Sequence, residues 1–184
     1  MTELWLARHG QTDWNVEGRY QGHADVPLNA LGVQQAHLLA HKLDGQKFDA
    51  IFSSDLQRAR LTAEVAAARL GLPLRLDARL REIDQGDWEG ELVAEISRRY
   101  AERWHVNPAD PEGFGAPNGE TIGQVAARMN AAADEIASAF PGGRVLVISH
   151  GLAVAILICR ARQYPLAEVY RHIPPNAEPV RIEL

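Results

Sequence analysis

A chain of 184 residues is long enough for one domain with a buried core and short for two. With 46% apolar and 23% charged residues it has the composition of a folded soluble protein, which excludes a disordered chain. The net charge of −5, with no block of Lys and Arg, argues against nucleic acid or an anionic membrane as partner, so any anionic ligand needs locally gathered positive charge.

The chain opens on Glu3-Leu4-Trp5-Leu6-Ala7, without the basic region and long apolar core of a signal segment, and a cytoplasmic location is the expectation. No apolar run is long enough to span a bilayer. Leu4–Ala7 predicts a buried strand that ends at Arg8 and Gly10. From Pro27 to Gly45, Leu31, Leu38, Leu39 and Leu43 recur at helical spacing. Ala50–Phe52 predicts a second buried strand. Ser54, three residues before Gln57, predicts a capped helix start, and Gly71 its stop. Leu74–Leu76 reads as a third strand and 79–90 as loop. Residues 91–118, with Trp104, Pro108, Pro111 and Pro117, read as an insertion over the core. Gly119 to Phe140 is the clearest helix, with Ile122, Val125, Ala126, Met129, Ala133, Ile136, Ala137 and Phe140 on one stripe. Arg144–Ser149 is a buried strand, and a helix runs from Gly151 to about 161. Its Cys159 is the only cysteine, which rules out a disulfide within the chain and reads as a core thiol. Alternating strands and helices predict a single domain over 1–184: an α/β three-layer sandwich with a mostly parallel sheet.

Two strands end alike. Leu4–Ala7 leads into Arg8-His9-Gly10, and Val145–Ile148 leads into Ser149-His150-Gly151. Ligands of open parallel sheets bind beyond the carboxyl ends of the strands, so both histidines belong at one edge. Arg58, near the start of the helix after the second strand, adds a planar fork of donors. Two arginines and two histidines at one edge describe a phosphate pocket. A neutral imidazole can attack phosphorus while arginines hold the equatorial oxygens, and no metal is required.

The ordered motifs resemble the histidine phosphatase superfamily, in its phosphoglycerate mutase-like branch. They are Leu6 to Asn15 (LARHGQTDWN), Arg19-Tyr20-Gln21-Gly22, Ser53 to Ala59 (SSDLQRA), Arg81-Glu82, Trp88-Glu89-Gly90, Gly119-Glu120-Thr121 and Val147 to Gly151 (VISHG). The resemblance implies that His9 is the nucleophile that becomes phosphorylated. It implies that Arg8, Arg58 and His150 clamp the phosphoryl oxygens, with Asn15 and the Gly151 amide as further donors. Glu82 is implied as the acid that protonates the leaving oxygen, and Gln21 and Gly22 as the border of the leaving group. The substrate class is a small phosphorylated metabolite, with no cofactor, and the family leaves room for a homodimer. The short span from Glu82 to His150 resembles the small phosphatases rather than the mutases, although Arg98, Arg99 and Arg103 could hold a second anionic group. Asn176 fits the family, whereas Glu178-Pro179 does not, and points to an edge strand or a late strand start.

Plainer readings stand beside these. Asp84 and Asp87 are rival acids, and His23 lies where it could touch substrate. His37 and His41 have metal-ligand spacing but lack a third partner. A mutase on the same chemistry and a non-catalytic phospho-ligand sensor are the rival functions.

Overall fold

The computed structural model describes residues 1–101 and 110–184. Arg103, Trp104 and Pro108, singled out above, lie outside the described residues.

Five strands form one sheet in the order β3-β2-β4-β1-β5. They are β1 (Glu3–Arg8), β2 (Ala50–Ser53), β3 (Leu74–Leu76), β4 (Arg144–Ser149) and β5 (Pro179–Glu183). All neighbours run parallel except β5, which pairs antiparallel with β1 at the edge. Pro179 is the first residue of β5, where its missing N–H costs the ladder least. This is the edge strand that Glu178-Pro179 signalled.

Alternation along the strands builds two cores. Leu4, Leu6, Val145 and Val147 face α5 (Ile122–Ala139) and α6 (Gly151–Arg162). Trp5, Ala7, Leu146 and Ile148 face the side covered by α2 (Ala30–Lys42) and α3 (Gln57–Leu70). The central strands are apolar on both faces for that reason. Cys159 is buried in the first core, and burial pushes its thiol up.

Three local readings are corrected. Ser54 does not cap α3: the helix begins at Gln57 behind Leu56, without a side-chain cap. Leu39 and Leu43 of α2 are buried, but Leu31 and Leu38 are 46% and 58% exposed, so the apolar face is narrower than the spacing suggested. The 79–90 stretch contains short 3₁₀ turns at Ala78–Leu80 and Gly86–Trp88. The long helix starts at Ile122, where Thr121 and Gln124 form a reciprocal capping box. In the 91–118 region, α4 (Val93–Arg99) places Ile96 against Trp88 and Ala116 in a small third cluster.

Candidate active site

Register places the two histidines. Arg8 of β1 pairs with Ser149 of β4, and the His9 N–H donates to the Ser149 carbonyl at 2.9 Å. The imidazoles of His9 and His150 meet edge to face with centroids 5.2 Å apart. Strand β2 flanks β4 on its other side, and the Ser54 N–H donates to the Ile148 carbonyl. Three parallel strands thus end side by side.

The His9 loop is fixed from several directions. The Gly10 N–H donates to Thr62 Oγ1 at 3.0 Å, and the Thr62 hydroxyl donates to the Arg58 carbonyl. Asn176 Nδ2 donates to the His9 carbonyl at 2.8 Å. A Cβ on Gly10 would stand 2.3 Å from the Gly32 carbonyl oxygen, so α2 packs against this loop only because both residues lack side chains. His9 Nδ1 lies 2.6 Å from the Gly10 carbonyl oxygen. A carbonyl only accepts, so Nδ1 carries the proton and Nε2 keeps its lone pair. Burial, then Arg58 and Arg8, hold His9 well below the ordinary histidine value. Burial first, then Arg58, His9, Arg128 and Arg8, hold His150 down as well. Both rings are neutral near pH 7.

Arg58 is 1% exposed. Its two terminal nitrogens donate to the carbonyls of Ala24 and Gly22, each at 2.7 Å. Burial lowers it to about 10, which leaves it charged at neutral pH. Burial also lowers Arg8, against the opposing pull of Glu82. Arg8 Nε, Arg58 Nε and His150 Nδ1 are all buried without a hydrogen-bond partner. Native proteins rarely leave such groups unmet, and two of them on residues that line one cavity, with the third on the ring packed against His9, describe a place for oxygen atoms brought by a ligand.

Glu82 sits at the first turn of α6. Its carboxylate accepts from the amides of Ile83, Leu152 and Ala153 at 3.1, 3.1 and 3.2 Å. Arg8, His9, Asn15, Gln21, Gly22, Arg58, Glu82 and Gly151 all line one cavity of about 980 Å³; His150 is not among its lining residues but lies fully buried with its ring packed against that of His9. Asn15 caps α1 (Asp13–Glu17) reciprocally with Thr12. Gln21 accepts from the Thr12 hydroxyl, and Gly22 has a φ of +51°. A Cβ on Gly151 would touch Ile173 at 3.1 Å and approach the Arg8 guanidinium at 3.5 Å.

Other candidates fall elsewhere. His23 is not among the lining residues: its Nε2 donates to the Glu82 carbonyl at 2.9 Å, from behind the loop. Asp84 accepts from the Gly86 amide and Asp87 from Asn118, and neither lines the cavity. Arg98 and Arg99 do not line it either. His37 and His41 border a separate cavity of about 710 Å³ between α2 and α3. Among the described residues no group of three or more His, Cys, Asp or Glu is placed to hold a metal ion, and no helix is long and apolar enough to cross a membrane.

Sequence reasoning missed Arg128, which donates to the carbonyls of Arg79, Arg81 and Glu82 and to both oxygens of Glu120. It also missed the lining residues Tyr170 and Arg171. These come from separate helices or from a 3₁₀ segment, Leu166–His172, that carries no motif.

The sequence model of the histidine phosphatase superfamily (branch 1) matches residues 4–184. The chain is 36% identical over 159 residues to a protein of Yersinia pestis named probable phosphoglycerate mutase GpmB, covering 86% of this chain and 74% of that one. Its fold superposes on Bacillus stearothermophilus YhfR with a TM-score of 0.88 and 33% identity, covering 100% of this chain and 92% of that one. A mycobacterial glucosyl-3-phosphoglycerate phosphatase, solved with VO3, gives a TM-score of 0.85 and 34% identity, covering 97% and 90%.

Proposed function

Because the chain belongs to the histidine phosphatase superfamily, we propose that it hydrolyses a small phosphomonoester through a phosphohistidine on His9, with no step routed through a metal. The observation that carries this reading is the set of three unpartnered buried groups, Arg8 Nε, Arg58 Nε and His150 Nδ1, around a histidine whose Nε2 lone pair is free.

In the first half-reaction His9 Nε2 attacks phosphorus, an N–P bond forms, and the ester P–O bond breaks. Glu82, a carboxylate bonded to three amides in the resting site, takes up the proton that the substrate's phosphate monoanion brings and gives it to the departing oxygen. Arg8, Arg58 and His150 hold the equatorial oxygens as charge spreads over them. Water then attacks phosphorus, a new P–O bond forms as the N–P bond breaks, Glu82 takes the water's proton, and inorganic phosphate leaves neutral His9 behind. Asn15, Gln21, Gly22 and Gly151 border the substrate.

Release of inorganic phosphate from a panel of small phosphomonoesters, with chelator present, tests the reading. Wild type is expected to release phosphate and His9→Ala is not. Chelator-sensitive activity restored by metal would overturn the metal-free route. The similarity to the Yersinia relative favours a second reading, phosphoglycerate isomerisation on the same chemistry. Isomer formed without free phosphate would support it.

A further inference from the structure

The reading of Ser54 as a helix cap fails, and its hydroxyl has another partner. Ser54 Oγ lies 2.8 Å from His150 Nε2. It also accepts from the Leu56 N–H at 3.3 Å. Both Ser54 and His150 are fully buried, so no bulk water can complete their bonding.

Counting donors and acceptors decides the proton positions. Suppose His150 carried its proton on Nε2. Ser54 Oγ would then accept twice, and His150 is the one acceptor within hydrogen-bond range of its own O–H among the described residues. The hydroxyl proton would be stranded in the core, and Nδ1 would be a bare lone pair facing an anion. With the proton on Nδ1, the Ser54 hydroxyl and His150 Nε2 are both matched, and one group alone waits for a partner. Leu56 N–H donates to Ser54 Oγ, Ser54 O–H donates to His150 Nε2, and the unpartnered Nδ1–H is left for a phosphoryl oxygen. His9 carries its proton on the same atom, yet uses the ring the other way round. Its Nδ1–H is spent on the Gly10 carbonyl and its Nε2 is the free one. The two rings thus present a lone pair and a donor respectively.

We propose that Ser54 is a positioning residue that locks His150 as the neutral Nδ1–H tautomer, so that this imidazole meets the phosphoryl group as a donor. The order of the strand ends makes it possible. Ser54 follows β2 and His150 follows β4, and the β2–β4 register brings Ser54 beside the end of β4. The inference rests on the phosphatase reading for its consequence, but not for its chemistry, which exists in the resting protein.

Long-range 1H–15N spectra of the full chain, labelled on histidine nitrogen and assigned with His150→Gln, read the tautomer without any turnover. The expected wild-type pattern at pH 7.5 is a protonated Nδ1 and a pyridine-like Nε2. Ser54→Ala is expected to admit the Nε2–H form and to lower kcat about tenfold, the effect of losing one donor to the transferring group. Ser54→Thr, which keeps the hydroxyl, restores the tautomer. A wild-type His150 protonated on Nε2, or a Ser54→Ala spectrum identical to wild type, overturns the proposal. A protein that shows the expected tautomer but releases no phosphate would instead count against the phosphatase reading alone.

Discussion

The floor and the rim of the cavity are built by different rules. The floor comes from strand ends. His9 of the lining and His150, packed against it, are 3% and 0% exposed, and backbone register together with Thr62, Asn176 and Ser54 fixes them. The rim comes from turns. Tyr170 is 40% exposed and stands edge-on to Phe114, and the Arg171 side chain is 77% exposed with Glu168 3.5 Å away. A buried, over-determined floor suits one reaction, because groups that stabilise a transition state must not reorganise when charge develops. A loosely held rim suits substrate choice, which relatives can change without touching the chemistry.

Substitutions can break this contrast. Arg58→Lys has the largest expected effect among the floor substitutions short of His9. A lysine cannot hold the Gly22 and Ala24 carbonyls and reach the phosphoryl oxygens as well, so kcat/KM should fall about 10²- to 10³-fold in steady-state assays. Glu82→Gln should cost about 10²-fold with poor leaving groups and far less with a nitrophenyl ester, measured as the slope of rate against leaving-group basicity. An equal loss for both would remove Glu82 from the acid role.

The floor also predicts how stability responds to acid. Burial and Arg58, the first two causes for each ring, hold His9 and His150 below the ordinary value of 6.5, so the unfolded chain takes up protons there while the folded chain does not. Their contribution is complete above about pH 6.5 and is lost as pH falls toward the depressed folded values. The slope is up to about 1.4 kcal/mol per pH unit for each histidine. Urea midpoints between pH 7.5 and 5 measure it, and His9→Gln should flatten the dependence. At the rim, Arg171→Ala should move KM only a few-fold, with a different ranking of substrates and an unchanged kcat for the best of them. A large loss of kcat there would erase the distinction between rim and floor.

Much of the floor could be read from the letters. Apolar runs ending in Arg8-His9-Gly10 and Ser149-His150-Gly151 mark buried strands that stop at polar residues, and parallel sheets bring such ends together. The local code was weaker where tertiary contacts decide. Ser54 has the spacing of a cap, but its hydroxyl is taken by His150 from another strand. Arg128 carries no motif in the sequence, and only folding shows it bracing the Glu82 loop through three carbonyls. His23 is close to the site in sequence, yet its ring supports the Glu82 backbone from behind. Tyr170 and Arg171 belong to a 3₁₀ segment whose position depends on packing against α6, which no periodicity encodes.

The proposed chemistry turns on a covalent bond between His9 Nε2 and phosphorus, and rapid acid-free quenching of a radiolabelled phosphomonoester reaction tests it directly. The expected result is a transient protein-bound phosphate that is acid-labile and base-stable, maps to the peptide containing His9, and is absent from His9→Ala. Turnover at full rate with no labelled protein at any time, or label retained after His9 is replaced, would contradict it.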